Sequence, residues 1–266
     1  MSAEVGTFFA LVARDLRVLR RQFGQFLVRT IMQPLLFVFV FAYVFPKIGQ
    51  GFHGGSTGVS FTTVLVPGLI AVAINFQGIQ AVALPLVQEF SFSKEIEDRV
   101  LAPIPVWVVG LEKIAVGAAQ SLIAAGVVFP IVYLVHAHGA APSVHIHDPL
   151  LFAIALVFAC VLAAALGLFI GTVIDPRKTP LLFAVVVIPI TFLGCVYYPW
   201  ATLTPIPWLK VLVLLNPLVY MTEGLRASLT PELPHMPVWA FMLALVGGST
   251  ALTIVSLRTF TRRVVT

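Results

Sequence analysis

Charged residues are scarce in this chain. Asp, Glu, Lys and Arg make up 10% of its 266 residues, whereas apolar residues make up 59%. About a quarter of the residues of an ordinary soluble domain are charged, and polar side chains must cover much of its surface. The composition therefore excludes a soluble globular protein and predicts an integral membrane protein.

Ionisable residues are also missing from the middle of the long apolar runs, and motifs for nucleotide or catalytic chemistry are missing altogether. Ion-driven carriers usually keep Asp, Glu, Lys, Arg or His near the membrane midplane. The sequence has no GxxxxGK[ST] loop, dinucleotide fingerprint, HExxH or serine-nucleophile motif. We therefore predict no catalytic residue, metal or cofactor in this chain, and any energy for transport must come from another chain.

Cysteine is rare too, with two residues, Cys160 and Cys195, both inside predicted spans. A disulfide between them is an alternative, but buried unreactive thiols are the favoured interpretation.

Histidine is concentrated in one loop, HAHGAAPSVHIHD, which holds four of the six histidines: His136, His138, His145 and His147. Each HxH pair has a spacing that can bind a metal ion. The loop contains no cysteine and one carboxylate, Asp148. Solvated loop histidines are therefore favoured over a metal site.

Six apolar runs are long enough to cross the membrane, because about 20 helical residues span its hydrocarbon core. The runs are continuous rather than alternating, so they predict an all-α protein with one transmembrane domain over residues 1–266. The predicted spans are 30–46, 62–88, 105–134, 150–174, 180–198 and 238–257. A seventh run, 209–221, is short and contains Asn216-Pro217, which favours a re-entrant or interfacial segment.

The distribution of Lys and Arg decides between six and seven spans, because these residues are retained on the cytoplasmic side. With six spans and both termini inside, thirteen of the 16 Lys and Arg residues face the cytoplasm and three face outward. The outer three are Lys47, Lys210 and Arg226. A seventh crossing would move Arg258, Arg262 and Arg263 outside. Six spans with cytoplasmic termini is the predicted topology, and the +5 net charge fits contact with anionic lipid headgroups.

The segment before the first span is amphipathic. Its apolar residues recur every three or four positions: Val12, Leu16, Leu19, Phe23 and Phe26. Arg14, Arg17 and Arg21 follow another face. This pattern predicts an interfacial helix at about 8–28 whose arginines contact lipid phosphates, with packing on a partner protein as the alternative.

Four amides lie inside predicted spans: Asn75, Gln77, Gln80 and Gln120. They are candidates to line a substrate path, although hydrogen bonds between helices explain them equally well.

The fourth span carries a ridge of small residues at four-residue spacing: Ala159, Ala163, Gly167 and Gly171. Such a ridge lets another helix approach closely. Packing within one subunit is favoured over a subunit interface.

A charged island interrupts the apolar sequence between the second and third spans. In SKEIEDRVLAPIP, five of the six residues from 94 to 99 are charged: Lys94, Glu95, Glu97, Asp98 and Arg99. The predicted topology places this island in the cytosol. A solvated turn and a docking helix are the two interpretations of the residues alone.

The stretch YYPWATLTPIPWLKVLVLLNPLVYMTEGLRASL, from residue 197 to 229, combines helix-breaking prolines with aromatic residues suited to a membrane interface. Its candidate residues are Pro199, Trp200, Pro205, Pro207, Trp208, Asn216, Pro217, Tyr220, Glu223 and Arg226. Glu223 and Arg226 are three residues apart and can pair on a helix.

These features, in this order, resemble the permeases of the type-2 ABC exporter family over nearly the whole chain. The resemblance is carried by RDLRVLRRQFGQFLVRTIMQPLLFVFVFAYVF, by the segment around the charged island and, most closely, by the stretch from 190 to 229. It implies that Lys94 to Arg99 form a coupling helix that docks on an ATPase, and that 199–221 forms a re-entrant hairpin near the exit. The island lacks the Gly and Thr of the family's usual Glu-Arg-Glu-x-Gly-Thr element.

The resemblance also implies function and partners. The expected role is the transmembrane subunit of an exporter of amphipathic drug or lipid-like molecules, in the cytoplasmic membrane. ATP and Mg are expected on a separate ABC ATPase, and a second permease copy, identical or paralogous, completes a dimer. Polysaccharide or glycolipid export is the alternative on the same scaffold. An ion-driven carrier or a membrane-embedded enzyme is disfavoured by the missing midplane charges and motifs.

Overall fold

The computed structural model describes residues 2–48, 61–90, 105–135, 142, 144–174 and 187–265, and these residues are almost entirely helical. The longer helices are α1 (Ser2–Arg21), α2 (Phe23–Val38, continued by a π-helical turn at Phe39–Val44 and by Phe45–Lys47), α3 (Phe61–Gln88), α4 (Val106–Leu134), α5 (Pro149–Val173) and α9 (Val238–Val265). The shorter ones are α6 (Ile188–Phe192), α7 (Pro207–Leu212), α8 (Pro217–Leu229), and 3-10 turns at Trp200–Leu203 and Val213–Leu215.

Five helices of the described part are long and apolar enough to cross a membrane: Phe23–Val44, Thr62–Gln88, Val106–Leu134, Pro149–Val173 and Val238–Val264. The predicted spans 62–88, 105–134 and 150–174 match three of these helices closely. The prediction of a span at 180–198 falls partly on residues outside the described part. The chain is therefore an all-helical, multi-pass membrane protein.

The predicted boundaries differ from the helices at both ends of the chain. The predicted interfacial helix at 8–28 is divided in the structure, because α1 stops at Arg21 and a new helix starts at Phe23. At Gln22 the backbone has φ −106° and ψ 19°, and Gly24 follows, which weakens continuous helix. At the other end, α9 continues past the predicted end at 257 to Val265, carrying its arginines beyond the apolar stretch.

Helix α3 is central, since it packs against α2, α4, α5 and α8, while α5 also packs against α9. Its core positions are apolar and inaccessible to solvent, as at Leu65, Ile70 and Ile74. In a membrane, apolar surface gains little by leaving lipid, so close contact between helices must supply much of the stability.

The ridge of small residues on α5 faces α3 within the same chain. A β-carbon built at Gly167 would lie 2.9 Å from the carbonyl oxygens of Gly78 and Ile79, and one at Gly171 would lie 3.0 Å from Cα of Ala83. On the other side, a β-carbon at Gly78 would lie 2.6 Å from Cβ of Ala163. The prediction of packing within one subunit is confirmed.

Replacing Gly167 by alanine should force α3 and α5 apart, because the new methyl group meets backbone rather than a movable side chain. We expect a loss of about 1 to 3 kcal/mol in the free energy of unfolding. The measurement is reversible unfolding of the purified chain in mixed detergent micelles. Gly247→Ala is the matched control, because no heavy atom lies within 4 Å of a β-carbon there. Equal stability of the two variants would contradict this account of the ridge.

The extended end of α9 joins the neighbouring helices at what we call the basic end of the bundle, where Glu89, Lys113, Thr172 and Arg263 lie. The Arg263 guanidinium donates to the carbonyl oxygens of Thr172 and, at 3.2 Å, Ile174. It also lies 4.5 Å from the ring centre of Phe90. One side chain therefore holds the last carbonyls of α5 and the residue that follows α3.

Arg263→Met keeps much of the side chain's length but removes the donors to the end of α5. We expect it to lower the free energy of unfolding by about 1 to 3 kcal/mol, the usual range for hydrogen bonds from a charged group. Arg258→Met is the control, because Arg258 lies exposed on the same helix. The same unfolding titration measures both, and a result in which Arg258→Met costs as much would refute the proposed clamp.

The loop before α5 gives its carboxylate a structural role. Asp148 is the N-cap of α5, and its side chain accepts a hydrogen bond of 3.0 Å from the Leu151 amide. The rings of His145 and His147 lie 6.4 Å apart, and both residues are exposed. Among the described residues, no three His, Cys, Asp or Glu side chains come together, while His136 and His138 lie outside the described part. Cys160 and Cys195 are buried free thiols.

Candidate functional site

The charged island, Lys94 to Arg99, lies outside the described residues, so the site is built from what flanks it. The described chain reaches Phe90 at the end of α3 and resumes at Pro105 before α4. Both positions lie at the basic end of the bundle. The candidate coupling residues therefore connect two helices whose adjoining ends are described.

A cavity of about 850 Å³ lies at the basic end, between α1, the start of α2, α3 and α4. Its volume is in the range of about 300 to 1,000 Å³ that is typical of ligand sites. The described residues that line it include six glutamines: Gln22, Gln25, Gln77, Gln80, Gln88 and Gln120. The charged lining residues are Arg14, Asp15, Glu89 and Lys113. Gln88 and Glu89 of this glutamine cavity lie just before the charged island in the sequence.

A ladder of side-chain hydrogen bonds crosses the far wall of the glutamine cavity. Thr30 donates to the Gln77 carbonyl oxygen at 3.2 Å, and the Gln77 amide donates to the Gln120 carbonyl oxygen, also at 3.2 Å. The ladder joins α2, α3 and α4. Three of the four predicted path residues thus line one cavity, whereas Asn75 is fully buried and lines neither this cavity nor its neighbour.

The charges around the glutamine cavity are arranged in pairs. Lys113 donates to Glu89, and both side chains are largely buried between α3 and α4. On α1, Asp15 pairs with Arg14 at 2.9 Å and is also hydrogen-bonded to Glu112 of α4. Burial raises the pKa of Asp15, but the hydrogen bond with Glu112 and the cations Arg14 and Lys113 outweigh it and hold that pKa below its usual value. The hydrogen bond with Glu112 and the attraction to Lys113 therefore connect Asp15 of α1 to α4.

A second cavity, of about 480 Å³, adjoins the glutamine cavity through two shared lining residues, Gln77 and Gln80. Its other walls are mainly apolar and come from α2 and α3, for example Met32, Leu36 and Phe76. The glutamine cavity is thus a polar chamber, and the second cavity is an apolar chamber beside it.

The other end of the bundle, which we call the hairpin end, holds His147, Trp200, Glu223 and Ser228. There Glu223 and Arg226 pair, and both have 0% of their side chains exposed. Glu223 accepts from the backbone amides of Trp200 at 3.0 Å and Met236 at 2.7 Å. Arg226 also donates to the carbonyl oxygen of Cys195, at 3.0 Å.

This buried charge hub therefore connects two separate stretches of chain, 195–200 and the one that contains Met236, to α8. The expected pairing of Glu223 with Arg226 is present, and the partners show what the pair does. Cys195 has a φ of 53°, a conformation unusual for a residue with a side chain, at the point where Arg226 holds its carbonyl. The buried charge hub therefore stabilises the backbone conformation at Cys195.

Prolines and polar side chains shape the rest of the hairpin end. Pro207 and Pro217 are the first residues of α7 and α8, where a missing N–H is tolerated, and the turn before α7 contains Pro205. Asn216 caps α8 through Leu218 and donates to the Ile190 carbonyl at 2.7 Å. These contacts connect the start of α8 to α6, which contains Ile190.

Aromatic residues connect the short helices of the hairpin end. The Tyr220 hydroxyl donates to the Leu214 carbonyl at 2.7 Å. The Trp200 ring nitrogen donates to the Lys210 carbonyl at 3.1 Å, and the Lys210 ammonium lies over that ring. Pro199, just before Trp200, accepts from Thr202, whereas the Trp208 side chain is 69% exposed. The candidate residues of this stretch thus form one connected structure with an exposed apolar edge.

The predicted lipid-contacting arginines lie on the solvent-accessible side of α1. Arg14, Arg17 and Arg21 are all exposed. Arg14 also lines the glutamine cavity, so this residue faces both the surface and the cavity mouth.

Sequence patterns missed several residues of the site. Gln22 and Gln25 lie before the first predicted span and Gln88 is the last residue of the second, and the packing of α1 and α2 on α3 makes them part of the cavity. Glu89 and Lys113 could have been paired, because two antiparallel helices joined by a short segment place these positions at the same end.

Comparison with known proteins agrees with this architecture. The family model described as ABC-2 type transporter matches residues 6–230. Proteins called inner membrane transport permease YadH, from Escherichia coli K12 and from Shigella flexneri, are each 28% identical over 209 residues, which cover 77% of this chain and 77% of the relative. The family match includes most of α1, the residues that line the glutamine cavity, and the Glu223–Arg226 pair.

Proposed function

The chain belongs to the ABC-2 type transporter family, and from that premise we propose that it is the membrane subunit of an ATP-driven exporter whose ATPase is a separate chain. The YadH relatives are named transport permeases. The sequence of the present chain contains no phosphate-binding loop. ATP and Mg would be bound by the partner.

The observation that carries the proposal is the position of the glutamine cavity. It lies at the basic end, next to the residues that flank the charged island, and it adjoins an apolar chamber between α2 and α3 with which it shares Gln77 and Gln80. An amphipathic drug or lipid-like molecule can place its polar part in one chamber and its apolar part in the other. Gln77, Gln80 and Gln120 are the proposed path residues.

The proposed topology has six spans with both termini in the cytoplasm of the cell, and the inner membrane is the proposed location. It is supported by the bias of Lys and Arg and by the name of the YadH relatives. In this topology the basic end is cytoplasmic and 199–221 is a re-entrant hairpin in the outer leaflet. Residues 180–198 supply the fifth crossing.

The proposed assembly is a dimer of permeases with two ATPase subunits. ATPase closure would move the island, and the island would move α3 and α4, which form two walls of the glutamine cavity. The dimer can contain a second copy of this chain or a paralogue.

Reconstitution tests the proposal directly. The purified chain alone should hydrolyse no ATP, whereas the chain co-purified with its ABC ATPase should export a fluorescent amphiphile from proteoliposomes when ATP is added. A complex whose ATPase lacks the phosphate-binding lysine is the control. Transport that persists without the ATPase and follows an ion gradient would overturn the proposal, as would ATP hydrolysis by this chain alone.

A further inference from the structure

We propose that the two adjoining cavities form a binding site selective for amphiphiles with an uncharged head that both donates and accepts hydrogen bonds, such as hydroxyl or amide groups. This inference rests on the proposed function only for the view that the bound amphiphile is cargo. The selectivity itself follows from the groups that line the site.

The polar chamber offers amides rather than free charges. An amide side chain presents both a carbonyl acceptor and N–H donors, so a wall of six glutamines can satisfy a head that carries both kinds of group. Gln22, Gln25 and Gln88 are exposed, and their side chains have no hydrogen bond to another residue in the part of the chain that is described. Those groups are available to a ligand.

The charged lining residues do not favour an ionic head. Among the residues that the structure describes, two cations and two carboxylates line the chamber, and Lys113 with Glu89 and Arg14 with Asp15 already pair. An anionic or cationic head would have to compete with a partner that is already in place, at the cost of leaving another charge unpaired in a partly buried site. An uncharged head avoids that competition.

The second chamber supplies the place for an apolar tail. Met32, Leu36 and Phe76 line it, and Gln77 and Gln80 form the boundary between the chambers. A ligand that occupies both therefore has its polar groups at the basic end and its tail between α2 and α3. This division gives the site a fixed ligand orientation.

The test uses the purified full-length chain in lipid nanodiscs and a photoreactive monoacylglycerol, whose two hydroxyls form an uncharged head. Four unlabelled competitors with the same C18 tail compare head chemistry: monoacylglycerol, methyl ester, fatty acid and alkylamine. We expect crosslinks on α2 and α3 beside Met32 and Phe76. We expect the monoacylglycerol to compete about tenfold better than the other three, since each lost hydrogen bond weakens binding several-fold.

Two variants make the site itself testable. Gln80→Leu with Gln120→Leu should weaken monoacylglycerol competition about tenfold, whereas Gln80→Glu should make the alkylamine the best competitor, because the change adds a negative charge to the cavity lining and no cation. Thr250→Val is the control, since that hydroxyl bonds a carbonyl of its own helix, α9, away from the site. Equal competition by all four amphiphiles, or crosslinks that map elsewhere, would overturn the proposal.

Binding and transport can fail separately. The binding assay contains no ATPase, so selective binding with no ATP-dependent export would support the site and reject the exporter. Export without head-group selectivity would support the exporter and reject this site.

Discussion

Glu223→Ala and Arg226→Ala should each lower the free energy of unfolding by about 3 to 5 kcal/mol, among the largest stability effects available in this chain. Each change leaves the remaining charge buried without its partner. Glu223→Ala also removes the acceptor for the Trp200 and Met236 amides, and Arg226→Ala removes the donor to the Cys195 carbonyl. Detergent-induced unfolding of the purified chain measures the loss.

The double variant Glu223→Leu with Arg226→Met tests whether the two charged residues stabilise the protein as a pair. Removing both charges together should cost much less than the sum of the two single changes, because no uncompensated charge stays buried. An additive result would show that the two residues act independently and would reject the hub as a unit.

A local readout shows where the structure opens. Cys195 is a buried free thiol beside Arg226, and Cys160 is a buried free thiol in α5. In the single hub variants, alkylation of Cys195 should rise well before that of Cys160, as resolved by peptide mapping. Glu232→Ala is the control, because Glu232 is an exposed carboxylate in the loop before α9. Equal alkylation of Cys195 in Glu232→Ala would contradict the assignment.

The elements that sequence predicted best are those in which one local signal decides the structure. An apolar run of about 20 residues must form a helix in the membrane, since its backbone groups have no other partner there. Helices α3, α4 and α5 follow their runs to within a few residues for this reason. The ridge from Ala159 to Gly171 was similarly readable, because small residues at four-residue spacing share one helix face.

The predicted path residues Asn75, Gln77 and Gln80 are close in sequence but do not all lie on the same face of α3. Successive helical residues turn by about 100°, so Gln80 lies about 60° from Gln77, but Asn75 lies about 200° from it. Gln77 and Gln80 accordingly face the cavities together, and Asn75 points into the core. The grouping of the three amides by closeness in sequence overlooked this rotation.

Other features depend on distant chain segments and could not be predicted from the sequence. The i, i+3 spacing of Glu223 and Arg226 predicts a pair, but not the Cys195 carbonyl and the Trp200 and Met236 amides that the pair holds. The break at Gln22 has a local signal in Gly24, but the contact of Asp15 with Glu112 depends on how α1 packs against α4. These contacts require knowledge of which helices are neighbours.

Charge reversal of the island, Glu95→Lys with Glu97→Lys and Asp98→Lys, should abolish most ATP-driven export while the chain still inserts in the membrane. Each exposed contact contributes only about 0 to 1 kcal/mol, but three reversals turn attraction into repulsion over one docking surface. We expect export per ATP hydrolysed to fall about tenfold or more, because 1.4 kcal/mol corresponds to a factor of ten. Proteoliposomes containing the permease and its ATPase provide both rates.

The physical reason for so large an effect is the rigidity of the base from which the island emerges. Glu89 at the end of α3 is joined to Lys113 of α4, and Arg263 holds Phe90. In the proposed coupling, a force on the island would reach ends of α3 and α4 that are joined to each other. The matched control keeps the charges and changes only side-chain length: Glu95→Asp, Glu97→Asp and Asp98→Glu should retain most export. If the reversed variant exports as well as the original chain, the island is a solvated turn and the force enters elsewhere.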